Sequence, residues 1–592
     1  MSADTIPARF LEHARIRPEE PAYYVRENGS WHATSWRDYV AETRRAARAM
    51  VALGLEPGDT VCILGFNKPE WVVFDIAAML IGGVPAGIYT TCSPGEVQYI
   101  VHHAEAKLVL VENEQQWQKI NAERQRLPSL QKVVFMRGAA KVSDPLALAW
   151  SSFLALADGV PEEVVDKRSA ALEPDQKATF IYTSGTTGPP KAVMLSHRNL
   201  SWTATTAVSM VEMQADACSL SYLPLSHIAE QMFTIHGPIS AGSAVYFAES
   251  IDKLPDNLRE VQPHIFFGVP RIWEKFHAGV SEKLNAATGI KALLAGWARG
   301  VGTHVSNLRN RGSEPAGLLA LQYKIANALV FSKLKPRLGL GRARMLVTGA
   351  APIAKEVLEF FASLDIVVRE VYGQSEDCGP TSFNGVGKTK FGTVGVPLPS
   401  VDVKIADDGE IIVRGPNVFL GYYKDQAATD STLRGEWLHS GDLGELDKDG
   451  FLLITGRKKD IIITSGGKNI APANIESALK NLELVSEAVV IGDKRNFLSA
   501  LITLDPDAAA RFAERQGVPV SEVHANPALI AEIQRGVDTV NEQFARVEHV
   551  RKLCILKRSF TVEDGELTPT LKVKRKVVFD HFSKEIEGMY TS

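Results

Sequence analysis

The chain has 592 residues, more than one hydrophobic core organises, so two or more domains are expected. Its 45% hydrophobic and 23% charged residues are those of an ordinary globular protein, and a net charge of −4 argues against a nucleic-acid partner. The five cysteines, Cys62, Cys92, Cys218, Cys378 and Cys554, are scattered and form no Cys-x-x-Cys pair, which points to free thiols in a reducing compartment rather than disulfides or zinc.

Residues 1–17 carry Asp4 and Glu12 and no apolar run, so they do not read as a secretory signal. Short β-branched runs predict strands over 60–64, 84–89 and 108–111. A helical pattern covers 69–80, and Ser93 with Pro94 opens another helix as N-cap and first-turn proline. The apolar stretch 71–89 is broken by Asp75, Gly82, Gly83 and Pro85. It fails as a membrane span and reads as a buried helix followed by a strand.

A further strand over 179–183 ends in Ser184-Gly185-Thr186-Thr187-Gly188-Pro189-Pro190-Lys191. Gly185 and Gly188 let backbone N–H groups turn toward anionic oxygens, and the hydroxyls of Ser184, Thr186 and Thr187 add donors. Lys191 supplies a mobile point charge. The loop suits a polyphosphate, yet it is not a Walker A loop, because Pro190 precedes the lysine and Ala192 follows it.

The strand rhythm resumes at 219–223, 244–247, 265–267, 345–348 and 366–371. Alternation of strands and helices implies parallel sheet with helices on both faces. Between these strands, residues 291–344 hold ten Lys and Arg and one acid, interleaved with Leu, Ala, Trp297 and Phe331. This segment reads either as a solvated basic helix pair or as an amphipathic surface for anionic lipid. Residues 391–456 carry short strands, 401–405 and 410–413 among them, between Gly, Pro and Asp turns, as in a small antiparallel or barrel unit. Residues 457–468 are dense in Lys, Arg and Gly, and a compact α/β pattern follows to about residue 580. The expected architecture is therefore α/β. A large N-terminal domain, 1–458, holds parallel α/β sheets and a β-barrel-like unit. A small mobile α+β domain, 459–592, follows a boundary near Lys459.

Residues 184–191 resemble the Ser-Gly-Thr-Thr-Gly-x-Pro-Lys signature of the adenylate-forming enzymes, which include acyl-CoA synthetases, peptide-synthetase adenylation domains and luciferases. Ala192 stands where that family usually has Gly. The resemblance implies that the loop from Thr183 to Lys191 grips ATP, with Thr187 among the catalytic groups. Gly349, Ala350 and Ala351 would pack against adenine. In the segment Glu370-Val371-Tyr372-Gly373-Gln374-Ser375-Glu376, Tyr372 would stack on adenine and Glu370 would face its amino group. Gly373 and Ser375 belong to the same nucleotide-binding string, Ser375 in place of the usual Thr. Glu376 would bind Mg2+, since a carboxylate beside a polyphosphate is repulsive unless a divalent cation bridges them. Asp442 would hold the ribose hydroxyls with Arg457 assisting, Lys459 would be the hinge, and Ser465, Gly466 and Gly467 would line a CoA tunnel. Lys572, close to Lys574, matches the adenylation lysine, although Leu571 replaces the glycine usual before it.

Two further segments, 222–231 and 267–275, look like long-chain and very-long-chain fatty acyl-CoA synthetases, especially the bubblegum-type branch. By that resemblance His227 lies between the acyl and nucleotide sites. Some bacterial long-chain enzymes have a gating Trp at the position of Gln231, so that gate does not carry over. The implied reaction converts a long-chain fatty acid and ATP to acyl-AMP, then transfers the acyl group to CoA. Alternatives are an acyl-AMP ligase serving a carrier-protein thiol and a catalytically silent binder of fatty acid or nucleotide. The implied location is cytoplasmic, with peripheral contact to the inner face of a membrane through residues 291–344.

Overall fold

In the computed structural model, which describes residues 3–183, 189–466, 468–568 and 572–591, the β-branched runs assort into two large sheets. In the first, Lys177–Thr183, Val84–Ile88, Thr60–Leu64, Leu108–Val111, Lys132–Phe135 and Ala147–Ala149 lie side by side in parallel. Thr60–Leu64 and Val84–Ile88 are buried at every residue, which is why they read as unbroken apolar runs rather than as alternations. In the second sheet, Val368–Tyr372, Met345–Thr348, Ile265–Phe267, Cys218–Ser221, Ala244–Phe247 and Pro21–Glu27 run parallel.

Both sheets have antiparallel edges that the alternating rhythm does not announce. Lys191–Ser196 turns back along Lys177–Thr183, with Thr183 opposite Lys191, and Gly421–Tyr422 pairs with its outer side. Pro21–Glu27 and Ser30–Ser35 form a hairpin, joined through Asn28 and Gly29 in left-handed conformations, that closes the far edge of the second sheet. Ser382–Phe383 and Val396–Pro397 close the other edge.

The small β unit is a five-stranded antiparallel sheet of Asp402–Ile405, Glu410–Arg414, Trp437–Leu446, Leu433–Arg434 and Leu452–Arg457. The C-terminal domain is a three-stranded sheet of Val485–Ile491, Leu498–Leu504 and Val550–Ile555. Helices Pro472–Lys480 and Pro527–Asn541 pack on it around a core that includes Ile475, Leu479, Val490, Leu498 and Phe512. A large domain of mixed sheets with a small α/β domain after it is the expected fold class. Among the described residues no helix is long and apolar enough to cross a membrane.

Helix Pro69–Leu80, between the first two strands of the first sheet, is buried along its whole length beneath helix Trp36–Ala52. It carries two acids, Glu70 and Asp75, and the two carboxylate oxygens of Asp75 have no hydrogen-bond partner among the described residues. For Asp75 the cost of that burial is electrostatic. Burial lifts its pKa well above the usual carboxylate range. An acid whose folded pKa lies above its unfolded value loses stability as pH rises between the two, at about 1.4 kcal/mol per unit. Asp75→Asn removes that dependence while keeping the side chain's size. Its urea midpoint is expected to exceed that of the parent at pH 8 and to converge toward it at pH 4. Equal differences at both pH values would show that Asp75 does not titrate in this range.

Candidate active site

The carboxyl ends of the second sheet's parallel strands deliver the largest group of the sequence-predicted residues, as expected for open α/β sheets. Met345–Thr348 leads directly into Gly349, Ala350 and Ala351. A Cβ on Gly349 would lie 2.7 Å from both the Val371 side chain and its carbonyl oxygen, so glycine here is required by packing against the neighbouring strand. Ala350 is held left-handed at φ 68°, and Ala350 and Ala351 are exposed, leaving an open backbone shelf at the strand end.

The next strand, Val368–Tyr372, carries Glu370 and Tyr372 on one face. Glu370 is buried, its pKa is pushed up to about 8 by that burial, and its Oε2 atom has no partner among the described residues. Thr348 Oγ1 and Gln374 Nε2 are likewise buried without a partner there. Three such atoms around one strand end fit a polar ligand that completes them.

Tyr372 donates from its hydroxyl to Asp442 Oδ2 at 2.8 Å, and Arg457 Nε lies 3.1 Å from Asp442 Oδ1. Asp442 and Arg457 are register partners on the antiparallel strands Trp437–Leu446 and Leu452–Arg457. The tyrosine ring, the carboxylate and the guanidinium are thereby fixed together by backbone pairing.

After Tyr372 the chain turns sharply. A Cβ on Gly373 would meet the Gly379 carbonyl oxygen at 1.6 Å. The short helix Ser375–Asp377 is capped by Asp377, which accepts from Gln374 N at 2.8 Å and from the Thr381 hydroxyl. Ser375 is buried inside this turn, and Glu376 points away from it to accept from the Tyr422 hydroxyl at 2.7 Å. Lys191 Nζ stands 4.9 Å from the Tyr422 ring centroid and 3.8 Å from Asp425 Oδ2, while Thr183 Oγ1 donates to the Lys191 carbonyl at 3.4 Å. Glu376 and Lys191, separated by 185 positions in the chain, thus both meet Tyr422, one at its hydroxyl and the other over its ring. Ser184, Gly185, Thr186, Thr187, Gly188 and Gly467 lie outside the described residues.

Lys572 comes to this region from the C-terminal domain. The residue is exposed to solvent, yet the surrounding protein and Arg457 lower its ammonium pKa, while Asp442 and Glu376 work in the opposite sense. His227 is close enough for Lys572 to help hold its imidazole neutral. Burial is the larger cause, bringing its pKa to about 4. His227 Nδ1 accepts from Ala229 N at 3.1 Å, capping helix Ile228–Gln231. Lys572 N is itself tied to Thr568 Oγ1 at 3.0 Å.

Lys459, in the short helix Lys458–Asp460 that follows directly on Arg457, is exposed. Ser465 and Gly466 form an exposed turn between Ile462–Ile463 and Asn469–Ile470. The Ser465 hydroxyl donates to Asn496 Oδ1 at 2.6 Å, within the C-terminal domain and apart from the Tyr372–Asp442–Arg457 cluster. Tyr422, Asp377 and Asp425 were not among the sequence-predicted residues. Tyr422 has no spacing signal of its own, because its role arises from edge pairing with Lys191–Ser196.

A family model described as AMP-binding enzyme matches residues 10–423, and one described as AMP-binding enzyme C-terminal domain matches residues 459–592. The long-chain-fatty-acid–CoA ligase ACSBG2 of Xenopus laevis is 38% identical, covering 99% of this chain and 84% of its own length. The long-chain-fatty-acid–CoA ligase FadD15 of Mycobacterium bovis is 35% identical over 99% of this chain and 97% of its own length. Among solved structures, the A domain of a carboxylic acid reductase from Segniliparus rugosus superposes with a TM-score of 0.75 at 18% identity, over 99% of this chain and 94% of that one, a likeness of fold.

The Gly373 turn gives a direct test of the site's architecture. Gly373→Ala is expected to lower the urea midpoint by an amount corresponding to about 1–3 kcal/mol, because the methyl group displaces the Gly379 carbonyl. Gly349→Ala should behave alike, whereas Gly435→Ala, where no atom lies within 4 Å of the new methyl, should cost only the strain of its positive φ.

Proposed function

The chain belongs to the AMP-binding enzyme family, and on that footing we propose that it is an ATP-dependent long-chain fatty acid–CoA ligase. In the first half-reaction a carboxylate oxygen of the fatty acid bonds to the α-phosphorus of ATP and pyrophosphate leaves. In the second, the CoA sulfur bonds to the acyl carbon, AMP leaves with the electron pair, and the thiol proton passes to solvent. Neither half requires a nucleophilic side chain. The protein aligns two anions and stabilises charge that develops on phosphate.

The observation that supports this reading is that the Lys572 ammonium lies within electrostatic reach of Arg457, Asp442 and Glu376. Lys572 bridges the reacting carboxylate and the α-phosphate. Lys191, with the loop from Thr183 through Ser184, Gly185, Thr186, Thr187 and Gly188, holds the outer phosphates. Tyr372, Gly349, Ala350 and Ala351 receive the adenine, the unpartnered Glu370 Oε2 faces its polar edge, and Asp442 with Arg457 takes the ribose. Glu376 would hold Mg2+, which would supply charge neutralisation for the leaving pyrophosphate. One carboxylate completed by phosphate is the usual protein share of such a site. Neutral His227 stands on the acyl side of the reacting centre. Rotation of the domain 459–592 about Lys459 withdraws Lys572 and presents Ser465, Gly466 and Gly467 to the pantetheine arm.

Fatty acid is the proposed acid because the curated relatives that share the whole chain are long-chain-fatty-acid–CoA ligases. Lys572→Ala is expected to abolish pyrophosphate exchange into ATP while leaving conversion of supplied acyl-AMP and CoA near the parent rate. Normal exchange by the variant would reject the assignment, and AMP release measured from acetate to very long chains identifies the acid.

We also propose that the enzyme, cytoplasmic in location, rests on anionic lipid through residues 291–344 and the helix start that precedes them. The helices Gly289–Arg309 and Gly317–Ala326 leave Ile290, Leu293 and Leu318 at 83%, 75% and 71% exposure, with Trp297, Leu321, Ile325 and Leu329 also outside. Around them Lys291, Arg311, Lys324, Lys333 and Arg337 make no ion pair among the described residues, whereas Arg309 and Lys335 are claimed by Asp365. A basic rim around an apolar face complements an anionic membrane, at about 1 kcal/mol per cation near the surface. The protein is expected to sediment with phosphatidylglycerol vesicles and not with phosphatidylcholine ones, and to lose this in Leu293→Glu/Leu318→Glu. Sedimentation unchanged by that pair would exclude this face.

A further inference from the structure

The segment 267–275 has a role that its resemblance to long-chain synthetases does not supply. Trp273 is fully buried. Its Nε1 donates to the Gly268 carbonyl at 2.9 Å and its ring meets Phe266, Phe276 and Phe361 edge-on. Its neighbours on helix Pro270–Asn285 face the C-terminal domain. Arg271 Nη1 lies 3.4 Å from the Ser486 carbonyl oxygen and Nη2 lies 3.3 Å from Ser486 Oγ.

Glu274 sits nearby. Burial raises its pKa, Lys480 and Arg271 draw it down, and Glu487 adds a smaller lift. Farther along the helix, Glu282 acts on Arg511. Positions 271, 274 and 282 fall on one face of a helix. Every partner belongs to the C-terminal domain. Lys480 ends helix Pro472–Lys480, Ser486 and Glu487 lie on Val485–Ile491, and Arg511 lies on Pro506–Gln516. Lys480 pairs with Glu487 at 3.1 Å, so Glu274 joins an existing charge cluster.

We propose that this face of helix Pro270–Asn285 is the seat on which the C-terminal domain docks for acyl-adenylate formation, with Arg271 and Glu274 as positioning residues that hold Lys572 at the Glu376–Asp442–Arg457 cluster. The contacts are polar and those of Arg271 are long, so each is individually weak. Polar contacts of this kind are exchanged for water at little cost, which suits a domain that must leave before CoA can react. The inference rests on the acyl-activation reading and adds to it the surface that selects the first half-reaction.

The test uses the full chain and two assays, pyrophosphate exchange with a long-chain fatty acid and thioester formation from supplied acyl-AMP and CoA. For Arg271→Ala/Glu274→Ala the exchange rate is expected to fall about five- to tenfold, while thioester formation stays within about twofold of the parent. Raised salt should slow exchange in the parent and have less effect on the variant, because screening removes what the variant already lacks. The retained thioester activity reports that the variant is folded. Equal loss in both assays, no loss in either, or identical salt responses would overturn the docking role. A parent that exchanges no pyrophosphate with any fatty acid would instead strike the acyl-activation reading itself.

Discussion

The antiparallel pairing of Asp442 with Arg457 is the constraint on which the candidate site depends. It fixes a carboxylate and a guanidinium side by side, places the carboxylate within 2.8 Å of the Tyr372 hydroxyl, and ends two residues before Lys459. One strand pair therefore connects the end of the second sheet to the start of the C-terminal domain. Tyr372 and Asp442 stand where backbone pairing puts them, while Lys572 belongs to the C-terminal domain.

The two large sheets are joined near the same place by a buried acid. Glu230 Oε1 accepts from Ser221 Oγ at 2.9 Å, from Thr234 Oγ1 at 2.8 Å and from Tyr222 N at 3.1 Å, all on the second sheet's side. Asn67, just beyond strand Thr60–Leu64 of the first sheet, donates to Ser221 Oγ and to the Leu223 carbonyl at 2.8 and 2.7 Å, with a longer 3.3 Å contact to Glu230. Burial raises the Glu230 pKa to about 8, and the converging donors oppose that rise. A carboxyl satisfied in this way costs far less than an orphaned one such as Asp75. It also sets the angle at which the loop bearing His227, three residues earlier, leaves the sheet.

The parallel strands were legible because both faces of each are covered, so their sequences are unbroken β-branched runs with turn residues at the ends. The antiparallel edges were not. The hairpin Pro21–Glu27 with Ser30–Ser35 is half exposed and polar, and its pairing with Ala244–Phe247 spans more than 200 residues, which no local pattern encodes. The same reason hid Tyr422. A tyrosine in a short run of turn residues acquires a role only when edge pairing carries it to Glu376 and Lys191. Residues such as Tyr372, Glu376 and Asp442 were legible through their strings, but a string supplies membership in a site, and only the fold supplies the partners. For Gly373 and Gly349, backbone contacts below 3 Å account for glycine without reference to any ligand.

The segment around Trp273 shows how one string serves two masters. Along Val269-Pro270-Arg271-Ile272-Trp273-Glu274-Lys275, the helical period sends Trp273 into the second sheet's core and turns Arg271 and Glu274 toward another domain. The core contact is apolar, close-packed and permanent. The outer contacts are long, polar and reversible. If the same residues had been reversed in character, a buried arginine would be left without a partner and an exposed tryptophan would bind the C-terminal domain through apolar surface that water resists uncovering. The first would weaken the large domain, and the second would make the contact between the two domains apolar and hard to open. A short helical stretch therefore has to be read face by face: the residue that most resembles a substrate signature secures the scaffold, and Arg271 beside it faces the domain that carries Lys572.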